Sequence, residues 1–217
     1  MKKNLTEMVF ILDRSGSMAS LTSDTVGGFN SMIENQKNEE GEAYVTTVLF
    51  NGNYEILHDH ININDIKPIT NKDYYAYGMT ALLDAVGSTI NSIGNRLSET
   101  PEDERPEKVI FVITTDGVEN ASREFTKQKV KEMIEHQQSK YSWTFMFLGA
   151  NIDAVGEAES LGIKASHSHT YTANSVGTAS VYTATASAMS ELRSLDWCSM
   201  DACVVDDVVA KALSTVE

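Results

Sequence analysis

The chain has 217 residues, 41% of them hydrophobic and only three of them proline, an ordinary length for one α/β domain and a short one for two. Its formal charge is −14, from 31 acidic and 17 basic side chains. Nucleic acids and anionic membrane surfaces are held by clustered Lys and Arg, so this balance argues against both and favours cations or basic partners.

The first apolar run, Met8–Leu12, reads as a strand buried on both faces and ends in Asp13, Ser15, Gly16 and Ser17. A helix is predicted over 23–37, with Val26, Phe29 and Ile33 on one face. Tyr44–Phe50 follows as a strand. Asn51-Gly52 then signals a hairpin into Tyr54–His58, an antiparallel edge strand. Residues 59–77 are polar and irregular, with Pro68 and a cluster of Tyr74, Tyr75 and Tyr77. Met79, Leu82, Leu83, Val86, Ile90, Ile93 and Leu97 recur at helical spacing and predict a long amphipathic helix from Met79. Residues 99–108 read as a charged loop. Val109–Ile113 is a further apolar strand, ending in Thr114-Thr115-Asp116-Gly117. Thr126 is placed to cap a helix carrying Val130, Met133 and Ile134. Trp143–Leu148 is a fifth strand, and Asp153 starts a short helix to about Leu161. Residues 166–172 form a sixth strand, 179–195 a helix, and Val204 to Val216 a final amphipathic helix with Asp206 and Asp207 near its positive end. Strands alternating with helices predict a doubly wound, mostly parallel six-stranded α/β sheet with one antiparallel edge strand and helices on both faces. The whole chain reads as one domain, with its core in 5–162 and the segment 165–217 completing or extending it.

No segment approaches a bilayer span, and the run after Lys2 and Lys3 is too short for a signal-peptide core. Cys198 and Cys203 resemble neither a disulfide framework nor a zinc site. A cytoplasmic location is the expectation.

Three segments carry oxygen donors to strand ends or to the helix start facing them: Asp13-Arg14-Ser15-Gly16-Ser17, Gly78-Met79-Thr80 and Thr115-Asp116-Gly117. Open α/β sheets bind ligands at the carboxyl ends of their strands, where strand order reverses. Two carboxylates and three hydroxyls meeting there suit a hard divalent cation. Asp13-x-Ser15-x-Ser17, a distant Thr80 and a distant Asp116 together resemble the von Willebrand factor type A domain with its metal-ion-dependent adhesion site. The resemblance implies that Ser15, Ser17 and Thr80 ligate Mg²⁺ (or Mn²⁺ or Ca²⁺), with Asp13 and Asp116 acting through water or the serines. It also implies that a partner protein's Asp or Glu completes the coordination, and that drawing Asp13 or Asp116 into direct contact would weaken this capture. In some members a shift of the final helix accompanies such a change.

Arg14, Tyr74, Tyr75 and Tyr77 are candidates for a partner-contact rim, tyrosine being frequent in binding hot spots. A solvated Arg14, a packing Met18 and tyrosines covering the helix start are the plainer expectation. His58 with His60, and His167 with His169, lack a third zinc ligand. Asp84 reads as a capping charge or a tie to the loop after the first strand, and the acidic stretch 99–107 as a solvated loop. An enzyme is not expected. A haloacid-dehalogenase-type phosphatase needs an Asp where Ser15 stands, and a receiver-type phosphoacceptor needs paired acids at the first strand end. Phosphate-binding glycine loops and Ser-His-Asp or Cys-His arrangements are missing. The remaining alternative is a scaffold in which the metal is incidental.

Overall fold

A computed structural model describes residues 1–196 and 202–216. The central strand, β1 (Lys2–Asp13), runs well beyond its apolar stretch. Lys2–Asn4 are exposed, but the polar Thr6 and Glu7 are buried. Glu7, buried, accepts hydrogen bonds from Thr46 Oγ1 at 2.9 Å and Arg96 Nη2 at 2.6 Å, and His60 Nδ1 lies 2.8 Å from its other oxygen.

From β1 the chain passes through α1 (Thr22–Lys37) to β2 (Glu42–Phe50) and turns into β3 (Tyr54–Asn62). It continues through α2 (Leu82–Glu99), β4 (Pro106–Thr115), α3 (Lys127–Tyr141) and β5 (Thr144–Ala150). Then come α4 (Ala154–Ser160), β6 (Ser168–Tyr171), α5 (Ser175–Ser194) and α6 (Ala202–Leu213). The spatial order is β3-β2-β1-β4-β5-β6, parallel throughout except for the β2–β3 hairpin at one edge. This is the doubly wound sheet that the alternation of patterns predicts.

Alternate residues of β1 feed two cores. Met8, Phe10 and Leu12 pack with Phe29, Met32 and Ile33 of α1 and with α5 and α6. Val9 and Ile11 pack with Leu82, Val86 and Ile90 of α2 and with Val130 and Ile134 of α3. Phe10 meets Phe29 edge-on at 5.4 Å, and Phe111 stacks on Phe145 at 4.7 Å. Each such fully buried side chain contributes about 1.5–3 kcal/mol, which fixes the register of β1 between its neighbours.

Several boundaries differ from the sequence expectation. The helix expected from Met79 begins at Leu82. Gly78 sits at φ +83°, Thr80 and Ala81 bond to neighbouring loops, and Met79 is exposed. β4 starts at Pro106, so Glu107 belongs to the strand and accepts the Asn4 N–H at 3.1 Å instead of lying in a solvated loop. Lys108, also inside β4, is buried because its ammonium donates to the Arg193 and Leu195 carbonyls at 2.6 Å each. A bulge at His60 (φ +52°) interrupts the strand alternation between His58 and His60. Thr126 and Asp153 do cap their helices, accepting from the Lys129 and Gly156 N–H groups. Cys198 lies outside the described residues, and Cys203 is exposed on α6. Among the described residues no helix is long and apolar enough to cross a membrane.

Candidate metal centre

β1 and β4 are neighbours from which the chain winds in opposite directions, so a crevice opens at their carboxyl ends. Asp13 is the last residue of β1 and is fully buried there. Its Oδ1 accepts the Ser15 N–H at 2.6 Å, and its Oδ2 accepts the Thr115 hydroxyl at 2.6 Å. The Asp13 carbonyl accepts the Tyr74 hydroxyl. The turn that follows sets Ser15 Oγ 3.1 Å from Ser17 Oγ. Ser17 Oγ donates in turn to Asp116 Oδ1 at 2.6 Å, just beyond the end of β4. Thr80 enters from the third loop. A methyl group built on Gly117 would lie 3.0 Å from Thr80 Oγ1 and 3.7 Å from Ser17 Oγ. The five predicted donors are thus linked: Ser15, Ser17 and Asp116 through their side chains, Asp13 through the Ser15 N–H and Thr115, and Thr80 facing Ser17 across the space that a side chain at Gly117 would enter.

The loops are tied to one another through the backbone. Gly16 N–H donates to Gly78 O at 3.0 Å, Tyr77 N–H to Arg14 O at 2.9 Å, and Ala81 N–H to Asn51 O at 2.7 Å. Thr80 and Asn120 exchange two bonds, Thr80 N–H to Asn120 Oδ1 and Asn120 N–H to Thr80 O, both at 3.0 Å. Glu119 accepts from the N–H groups of Leu83, Ala121 and Ser122 and from the Ser122 hydroxyl. Burial alone would raise the Glu119 carboxyl, but these bonds hold it below the usual range. Asp84 binds the N–H groups of Arg123, Glu124 and Phe125, so it organises the loop after β4 and not the one after β1. Thr115, Glu119, Asn120 and the tie from Asn51 were not singled out from sequence. The polar run Glu119-Asn120-Ala121-Ser122 beside the Asp116-Gly117 turn was the available signal.

Two rim expectations need correction. Tyr74 is buried and not at the rim, because its hydroxyl is spent on the Asp13 carbonyl beneath the site. Arg14 is buried as well, neither solvated nor open to a partner. Its guanidinium pairs with Glu55 at 2.7 Å and lies 5.8 Å from the ring centroids of both Tyr75 and Tyr77. Tyr75 and Tyr77 are exposed, and Met18 is buried as expected of a packing residue. The histidine pairs stay apart from any ion site. His58 meets Thr47, His60 meets Glu7, and His167 meets the Phe145 carbonyl. Among the described residues no group of three or more His, Cys, Asp and Glu side chains could hold a metal. The donors at the crevice are mostly hydroxyls.

Electrostatics at the crevice favour a cation. Burial pushes the Asp13 carboxyl up to about 6, against the pull of its bonds to Thr115 and Ser15. Burial also raises the Asp116 carboxyl. Among the described residues neither makes an ion pair with a basic side chain. Two carboxylates with three hydroxyls and no cationic partner fit a hard divalent ion in charge and donor type.

The architecture is that of the von Willebrand factor type A fold. No family model matches the chain, and no curated protein sequence matches it. Solved structures do. The von Willebrand factor domain of the type V pili tip protein Mfa5 from Porphyromonas gingivalis superposes with a TM-score of 0.64 at 9% identity, over 88% of this chain and 96% of that one. The manganese-loaded TRAP protein of Plasmodium vivax gives 0.56 at 14% identity, over 79% of this chain and 70% of that one. Proximal thread matrix protein 1 from the mussel byssus, with its metal-ion-dependent adhesion site occupied by zinc, gives 0.54 at 15% identity, over 98% of this chain. The chain spans about half (47%) of that mussel protein's length. At these identities the likeness is one of fold.

Proposed function

We propose that this chain is a metal-dependent protein-binding module. Ser15, Ser17 and Thr80 would hold Mg²⁺ through their hydroxyls, with Asp13 and Asp116 balancing its charge, and an acidic side chain of a partner protein would complete the coordination. The carrying observation is the linked set Ser15–Ser17–Asp116, at 3.1 and 2.6 Å, against Asp13 at the strand-order reversal. Direct ligands that are mostly neutral leave the ion electrophilic, so it retains an appetite for an external anion. The manganese of the Plasmodium vivax structure and the zinc of the mussel structure support a divalent ion of this kind.

No residue of the crevice is needed as a nucleophile, and the proposal assigns no catalysis to the chain. The same proposal places the module in the cytoplasm. The test is a Mn²⁺ titration followed by electron paramagnetic resonance, repeated with acetate. Binding that is lost in Ser17→Ala and Thr80→Ala, with acetate altering the bound-ion signal, supports the proposal. Undiminished binding in both variants sinks it.

A further inference from the structure

Four large apolar side chains stand exposed around the crevice: Tyr75 at 52%, Tyr77 at 48%, Met79 at 55% and Val118 at 59%. Each is tied closely to the donor set. Met79 precedes Thr80, Val118 follows Gly117, and the Tyr77 N–H bonds the carbonyl of Arg14, next to Ser15. The α2 stripe has no use for Met79, since the helix begins only at Leu82.

Tyr75 and Tyr77 are also pre-arranged. Their rings stack at 5.1 Å with 11° between planes, and the buried Arg14 guanidinium lies against both. Glu55 fixes that guanidinium in turn. Aromatic side chains already held in one geometry lose little freedom on binding, which is the character of anchor residues at protein interfaces. Clustered exposed apolar residues around a polar centre mark an interaction surface.

We infer that the crevice accepts a protein segment whose single acidic residue is flanked by large apolar side chains, these packing on Tyr75–Tyr77 at one side and Met79–Val118 at the other. The inference rests on the carboxylate-capture reading above. Charge complementarity selects the same partner. A chain of net charge −14 repels further acidic residues, and Glu55 stands beside the tyrosine pair. An isolated carboxylate between apolar neighbours reaches the ion without that repulsion.

Two blocked peptides test this, Gly-Gly-Phe-Glu-Leu-Gly-Gly and the same peptide with Ser in place of Phe and Leu, each titrated into the full chain with Mn²⁺ and with chelator. The expected result is at least tenfold tighter metal-dependent binding of the apolar peptide. Tyr75→Ala and Val118→Ser should each shrink that preference several-fold, while Tyr141→Ala, at the far end of α3, leaves it in place. Equal metal-dependent binding of both peptides overturns the inference and leaves carboxylate capture standing. Apolar-peptide binding undiminished by chelator, or no binding of either peptide, overturns both. A preference that survives in Tyr75→Ala and Val118→Ser, folded by circular dichroism, overturns the assignment of this rim.

Discussion

Asp13→Asn tests the electrostatic reading of the crevice. The Asp13 carboxyl, ordinarily at 3.8, is raised to about 6 by burial. Between about pH 4 and 6 the folded chain therefore keeps a proton that the unfolded chain has released. Unfolding free energy falls as pH rises through that window and stays lowered above it. At 1.36 kcal/mol per pKa unit, the ionised carboxylate costs the folded chain on the order of 3 kcal/mol at neutral pH. Asparagine fits the same hydrogen bonds. Its oxygen can accept the Ser15 N–H, and its amide can donate to Thr115 Oγ1, whose own proton then goes to the Gly117 carbonyl 3.2 Å away. In chelator at pH 7.5, urea unfolding should show the variant more stable by up to about 3 kcal/mol, or on the order of 6–12 °C in Tm for a chain of this size. The difference should close toward pH 4. Excess Mg²⁺ should restore the wild-type chain, about 2.7 kcal/mol at a hundredfold over Kd, and do little for the variant. A variant no more stable than wild type in chelator at pH 7.5, or a gap that is unchanged at pH 4, would refute the reasoning.

Gly117→Ala should keep the fold and weaken Mn²⁺ binding about tenfold by calorimetry, because the added methyl stands 3.0 Å from Thr80 Oγ1 and must displace that hydroxyl. Glu7→Ala takes the buried acceptor from Arg96, His60 and Thr46, leaving Arg96 its pairing with Asp59 at 3.3 Å, and should cost about 3 kcal/mol in urea unfolding. His167 is held below its ordinary 6.5, chiefly by burial and against the opposing pull of Asp206. The unfolded chain then takes up that proton first, so stability is lost as pH falls from about 6.5 through the folded value. His167→Gln should flatten this part of the profile, read as the variant-minus-wild-type difference between pH 7.5 and 5.5.

The sheet was legible because its strands are apolar on both faces. Met8–Leu12, Val109–Ile113 and Trp143–Leu148 admit few readings other than buried parallel strands. What stayed hidden was polar and paid for in pairs. Glu7 looks like a surface residue until Thr46, Arg96 and His60 converge on it from three other elements. Lys108 is buried only because the last turn of α5 and Leu195 just beyond it each present a carbonyl to it. The donors of the crevice were readable one by one, since Asp, Ser and Thr stand at strand ends and a helix start. The supports were not. Tyr74 and Arg14 both look like rim residues in a polar loop, and only long-range partners turn one into a strut and the other into a clamp.

The bonds across the crevice join residues far apart in the chain, 99 positions for Ser17 to Asp116 and 102 for Asp13 to Thr115. An ion there meets its full set of ligands only after β1 and β4 have paired and the Thr80 loop has docked. Such late contacts act on the escape from the native state and leave its formation untouched. A bound cation would therefore work as a latch on unfolding, lengthening the life of the folded chain without hastening its assembly.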